Sequence, residues 1–435
     1  MSSFPFFSLL LGAAILFTGN GLQGVLIPVR ASLENFSTGI IGLIATAYSV
    51  GFVISCYWAP HIVKRVGHIR TFAVLAAIAA STVLLLVLLP NPFLWIALRV
   101  VNGFCLAGLF MVIESWLNEK STNINRGRVF SVYMVVNLGT VTAGQLLLPT
   151  ADPGGFTLFA VTCIAITLAL VPVGLTKSAT PAPLEQVRLR VGYLYGVSPV
   201  GVMGSFFVGA ANGAYLGLGP LYAQAAGLSL SGIALFMSAT MLGGAVAQFP
   251  LGKLSDRVDR RWVITGLCFA ASTAGAALAL AGGLIGPWPT GAWAFAPTSL
   301  IGLAGIFGCF TFTLYSLCVA HVNDHVASEE FVEASGGLLL TYGIGASIGP
   351  LVAAWAMQTF NSGGLFAFTA GVHLAFCLFT LYRITQRAPA TEEERGPFVQ
   401  LSANRVTPAI AALDPRAPEI APSLGENGVS IQDGD

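Results

Sequence analysis

The chain reads as an all-α membrane protein: twelve transmembrane helices in two pseudo-symmetric six-helix bundles. Three observations predict this. Charged residues make up only 9% of the sequence and hydrophobic residues 55%, with a mean hydropathy of +0.79, whereas an ordinary soluble domain carries about 25% charge. Twelve long apolar segments fill nearly all of the first 387 residues, each long enough to supply the roughly 20 residues that a helix needs to cross a bilayer. The segments fall into two groups of six that open alike, since Asn20-Gly21 followed by Pro28 returns 192 residues later as Asn212-Gly213 followed by Pro220. Arg65-Val66 and Arg257-Val258, in the loops after segments two and eight, repeat at that same separation. Like halves enclosing a central site are a common plan for membrane transporters.

In order, the expected spans are 6–28, 39–60, 71–89, 93–117, 129–149 and 156–176, then 196–222, 230–252, 262–284, 297–320, 334–358 and 365–386. The first run begins near Phe6 with neither a basic lead nor a cleavage site, which marks a retained span and not a secretory signal. Residues 1–176 form the first bundle and 196–387 the second. Between them, 177–195 form a cytoplasmic linker containing Pro181 and Pro183. From 388 to 435 the composition turns to Pro and acidic residues, including Glu392-Glu393-Glu394, and reads as a disordered cytoplasmic tail. Basic residues sit in alternate connections: Lys64, Arg65 and Arg70; Lys120, Arg126 and Arg128; Lys177, Arg188 and Arg190; Lys253, Arg257, Arg260 and Arg261. The positive-inside rule then puts both termini in the cytoplasm, in a bacterial inner membrane.

Several function classes are set aside by what the chain carries. The seven Cys fall inside apolar spans without a CxxC pair, so they read as small core hydrophobes. The five His show no metal-ligand spacing, and there is no phosphate-binding Gly loop or nucleophile elbow. The expectation is therefore no enzyme, no cofactor and no metal. A net charge of +1 gives no reason to expect nucleic acid. The expected partners are membrane lipid, a small-molecule solute and protons, for a monomer.

The loop after segment eight reads Gly252-Lys253-Leu254-Ser255-Asp256-Arg257-Val258-Asp259-Arg260-Arg261. Four cations and two carboxylates in one tight turn suit a latch that pairs with neighbouring helix ends and breaks when they separate; the plainer alternative is that basic residues merely anchor the loop. This decapeptide resembles the signature loop of the major facilitator superfamily, a Gly-x-Leu-x-Asp-Arg-x-Gly-Arg-Arg pattern, with Asp259 in place of the second Gly. Its first-half counterpart, Pro60 to Arg70, keeps Arg65 and Gly67 but has Lys64 where the family has Asp. Arg99-Val100-Val101-Asn102-Gly103 in segment four is similar to the family's Arg-x-x-x-Gly motif, and Gly345-xxx-Gly349-Pro350 in segment eleven to its Gly-Pro motif. The resemblance runs along nearly all of the apolar part of the chain and implies two six-helix bundles with a solute site between them, exposed alternately to either side. It carries the gate candidates Arg65, Gly67, Gly252, Asp256, Arg257 and Arg260. Glu333 joins them because the connection after segment ten is acidic, with Asp324, Glu329, Glu330 and Glu333; attraction to the basic loop would favour a cytoplasm-closed state.

Among residues inside the spans, Arg99 and Glu114 are the strongest ionisable candidates, because a charge there costs about 2.5 kcal/mol or more unless it is paired or solvated. Fifteen residues separate them, about 22 Å of rise, so both can line one cavity without touching. Glu114 reads either as a proton- or substrate-binding group or as a structural carboxylate bonded to helix ends or to loop cations such as Arg126 or Arg128. Arg99 reads as an anion contact or as a partner of backbone carbonyls. Uncharged candidates for the cavity lining are Asn20, Gln23, Asn137, Asn212, Tyr215, Gln248 and Tyr315. Each could hydrogen-bond a solute or act as interhelical glue, worth about 0.6 kcal/mol on average. Many of the fifty Gly read as packing sites, with Gly345-xxx-Gly349-Pro350 as the best hinge. Trp116 reads as an interfacial anchor and His373 as a core or interfacial residue.

The function read from these features is a secondary active transporter that moves a small organic solute by alternating access, with proton coupling as an option. The alternatives are a drug or metabolite exporter and, in a different class, a membrane sensor or scaffold that docks through its tail.

Overall fold

The computed structural model describes residues 6–119, 121, 125–175, 190–284, 296–327 and 330–386 and, singly, Gly396, Phe398 and Thr407. Its helices are α1 Phe7–Leu33, α2 Thr38–Val66, α3 His68–Leu88, α4 Pro92–Glu119, α5 Arg126–Gln145, α6 Thr157–Leu168, α7 Leu170–Gly174, α8 Val191–Val197, α9 Pro199–Ala225, α10 Leu230–Arg257, α11 Arg260–Ala281, α12 Pro297–Thr311, α13 Leu314–Asn323, α14 Phe331–Phe360 and α15 Gly364–Gln386. Among the described residues, twelve stretches are long and apolar enough to cross a membrane; α6 with α7 makes one and α12 with α13 another. Short α8 begins inside the stretch assigned to the linker and runs two residues past it, and most of that linker lies outside the described residues. With twelve crossings, the start of α1, the end of α15 and the described basic residues of the turns after α2 and α10 share one side, called here the basic face.

The repeat seen in the sequence governs how the helices begin and pack. Ser37 caps α2 by accepting from Ile40 N, and its repeat equivalent Ser229 caps α10 by accepting from Gly232 N; such a cap satisfies a donor that the first turn leaves open. Backbones then meet at glycines. A methyl group built on Gly51 would overlap Val100 O of α4, and one on Gly103 would overlap Tyr48 O of α2. Gly243, the repeat equivalent of Gly51, and Gly308 interlock α10 with α12 in the same way. In lipid this close approach replaces burial as the source of helix association.

Gly345 and Gly349 belong to this packing scheme, which corrects the hinge expectation. A side chain on either would run into the α9 backbone, at Phe206 O and Ala210 O, and α14 continues unbroken from Phe331 to Phe360 with Pro350 inside it. The turn at Gly67 has a different cause. Its φ of +87° is a conformation that residues with side chains rarely adopt, and it lets α2 end and α3 start within one residue.

The two bundles meet away from the basic face. Thr46 Oγ1 donates to Ser347 O at 2.7 Å, Gly42 abuts Pro350 and Ala354, and Gly39 lies against Gln358. Ser238 Oγ on α10 donates to Gln145 Oε1 at the end of α5 at 3.2 Å. Val53 against Gly343 is a deeper contact, near mid-span. The described seam is therefore closed at the distal side.

Candidate functional site

Two polar clusters sit in the first bundle. The deeper one is built on α4, where Arg99 and Asn102 share a face through their i,i+3 spacing. Asn102 Oδ1 accepts from Arg99 Nη1 at 2.9 Å and from Gln23 Nε2 of α1 at 2.6 Å, while Asn102 Nδ2 donates to Thr82 Oγ1 at 3.0 Å. The Arg99 guanidinium lies 4.4 Å from the Tyr48 ring centroid. A desolvated cation–π contact contributes up to about 2 kcal/mol, comparable to the minimum cost of placing the charge there. Two buried polar atoms of the cluster, Arg99 Nε and Gln23 Oε1, have no hydrogen-bond partner among the described residues. The cluster thus keeps a donor at Arg99 Nε and an acceptor at Gln23 Oε1.

The second cluster lies toward the basic face, about a turn and a half from the end of α4. Glu114 is fully buried; Tyr133 OH of α5 donates to its Oε1 at 3.1 Å. Its Oε2 accepts from the backbone N of Thr407 at 2.9 Å and from the Thr407 hydroxyl. The donors are neutral, in place of the expected Arg126 or Arg128. One turn along α5 from Tyr133, buried Asn137 has neither amide atom hydrogen-bonded among the described residues.

In the second bundle the candidates scatter. Tyr215 is fully buried, donates to Thr240 Oγ1 at 2.6 Å, and is ringed by Phe236, Phe307, Phe312 and Phe366. That places it in an aromatic core instead of a cavity. Gln248 donates to Phe312 O at 3.1 Å, where α12 gives way to α13, so it steadies a broken helix. Asn212 Oδ1 sits 3.5 Å from Thr311 Oγ1, which contacts His373 Nε2 at 2.8 Å; His373 is therefore a core residue. Tyr315 stacks edge-on against Tyr342. Asn20 is half-buried on α1.

At the basic face Arg260 is a buried hub. It donates to Asp324 Oδ2 at 2.6 Å, Ser255 Oγ at 2.7 Å and Asp256 Oδ1 at 3.0 Å. Burial pushes the Asp324 carboxyl up, with the Arg260 guanidinium pulling the other way. Each of these groups belongs to the second bundle, so this network ties that bundle to itself. Arg65 and Arg257 are exposed. Glu333, expected to answer the basic loop, instead takes Arg190 at the start of α8; Asp324 answers the loop, and Glu329 lies outside the described residues. Trp116 is also displaced from its expected role: it is buried and stacked on His68, itself buried and bonded to Ser115 Oγ at 3.0 Å.

The tail differs from the expected disordered segment at its three described residues. Gly396 N donates to Asp324 Oδ1 at 3.1 Å, Phe398 N to Asp256 Oδ2 at 3.3 Å, and Thr407 is fully buried against Glu114. Asn102, Thr82 and Tyr48 belong to the cluster although they are not among the residues expected from the sequence. Asn102 lies inside the Arg99 to Gly103 motif, three residues from Arg99, and that spacing is the available signal.

Comparison with known proteins gives consistent matches along the chain. The family profile described as Major Facilitator Superfamily matches residues 9–321 and 202–413. An uncharacterized MFS-type transporter of Enterobacter sp. (strain 638) is 28% identical over 380 residues, covering 87% of this chain and 95% of the relative. An uncharacterized MFS-type transporter, YcaD, of Escherichia fergusonii is 26% identical over 385 residues, with the same coverage. Among solved structures, the nucleoside transporter NupG is similar with a TM-score of 0.73 at 12% identity, covering 87% of this chain and 98% of NupG. A D-xylose–proton symporter is similar with a TM-score of 0.61 at 14% identity, covering 87% of this chain and 96% of the symporter.

Proposed function

We propose, from the premise that this chain belongs to the Major Facilitator Superfamily, that its secondary active transport of a small solute runs along the seam between the bundles and is driven by protons at Glu114. The observation that carries this reading is the Glu114 site itself. A fully buried carboxyl with neutral partners can change charge without breaking an ion pair. It lies toward the basic face, where solvent would enter while the distal seam is shut.

The deeper cluster supplies the polar contact for the solute. Arg99 Nε donates and Gln23 Oε1 accepts, a pair suited to a polar organic molecule that has both an acceptor and a hydroxyl or amide donor. The two bundles, residues 1–176 and 196–387, rock about the seam. The basic face lies in the cytoplasm of a bacterial inner membrane, as its Lys and Arg favour, with both termini on that side. The similarity in fold to a D-xylose–proton symporter makes protons the first coupling ion to test.

The test is transport by purified protein in proteoliposomes under an imposed proton gradient, with a panel of sugars, nucleosides, organic acids and cationic drugs. Gradient-driven accumulation of a panel member is expected. Glu114→Gln should abolish that accumulation and keep solute counterflow; unchanged accumulation in this variant would remove Glu114 from the coupling.

A further inference from the structure

We infer that the basic side of this transporter is a recognition surface for a peptide, and that its occupant is the chain's own C-terminal segment, held at Gly396 and Phe398 on the second bundle and at Thr407 on the first. The contacts are specific at both ends. On the second bundle, Arg260 donates to Gly396 O while Gly396 N donates to Asp324 Oδ1 at 3.1 Å, so one residue is gripped through both of its backbone groups. Phe398 N then donates to Asp256 Oδ2 at 3.3 Å, and the Phe398 ring covers Gly252, where a side chain would collide with it. The small residue in the signature loop therefore serves as the floor of a ring pocket.

The far end lies on the first bundle. Thr407 is fully buried, and both its backbone N and its hydroxyl donate to Glu114 Oε2. Eight residues lie between Phe398 and Thr407, and a chain of nine steps can span up to about 30 Å. While the segment is bound, Thr407 holds the carboxyl assigned above to proton coupling; the docking itself does not rest on that assignment.

The docking test uses the full chain with its seven cysteines replaced by Ser or Ala and Thr407→Cys added, held in lipid nanodiscs. The reaction rate of the introduced thiol with a bulky charged maleimide is compared with its rate in SDS. Protection of at least about tenfold is expected, and Phe398→Asp or Glu114→Ala should remove it, with size-exclusion profiles confirming that each variant is folded. Labelling of that thiol at the SDS rate in the otherwise unaltered chain would overturn the docking.

This readout needs no solute, so failure here leaves the transport assay to stand or fall separately.

Discussion

The two bundles share a scaffold and divide the chemistry. Serine caps and glycine contacts recur at equivalent positions of the repeat, yet Arg99 and Glu114 occur inside the spans of the first bundle only. The second bundle fills the region around Tyr215 with phenylalanines and gathers its buried charge at one end, around Arg260. The turn between the second and third helices of each bundle shows the divergence at a single position. Gly67 makes the turn with a positive φ, whereas its repeat equivalent Asp259 makes it with φ −56° and uses its carboxylate to cap Arg261 N. One turn is made by backbone freedom and the other by a side-chain bond. Backbone contacts are thus what duplication has kept, and polar groups are what each copy has changed.

The sharpest way to break this comparison is at matched backbone contacts. Gly51→Leu and Gly243→Leu should each abolish monodisperse protein on size exclusion, since both glycines abut a facing carbonyl; tolerance of only one would deny the equivalence. Next in size is Asn102→Leu against Asn212→Leu. The first strips an acceptor from buried Arg99 and from Gln23, and uncompensated buried charge costs about 3 kcal/mol or more. The second loses a 3.5 Å contact, for which about 0.6 kcal/mol is the typical worth. Thermal midpoints of the two variants should differ accordingly.

Smaller effects sharpen the contrast between polar groups that work in transport and those that only hold helices together. Tyr215→Phe removes one hydroxyl bond in an aromatic core and should leave transport kinetics intact with a slightly lower thermal midpoint, whereas Tyr133→Phe, which takes a donor from Glu114, should shift the pH profile of transport. Smallest is Glu333→Lys. Its partner Arg190 is exposed, with 51% of its side chain accessible, and pairs of that kind contribute little; no measurable change in thermal midpoint is expected.

Much of the fold could be read from residues alone, because hydrocarbon leaves few options. A run of about 20 apolar residues has to satisfy its backbone internally, and a repeat in Asn-Gly and Pro fixes the two halves. Site residues were legible where their cost was visible: Glu114 and Arg99 stand out because a buried charge demands a partner. The partners were harder to see. Asn102 looks like ordinary interhelical glue until three neighbours are found to converge on it. Tyr215 carries a polar tip that suits a cavity as well as a core, and only the surrounding rings decide. Arg190 displaced the basic loop as the partner of Glu333 because loop charge reveals sign and not reach. Thr407 gave no signal, since its contact joins positions 293 apart within a segment whose composition suggests no packing.

The distal seam has a further consequence. Its described contacts are a hydroxyl to a carbonyl, a hydroxyl to an amide, and small residues against one another. Electrolyte screens exposed charges over roughly 8 Å at physiological concentration and has little hold on neutral groups. Raising ionic strength should therefore leave the unlocking of the distal end almost untouched.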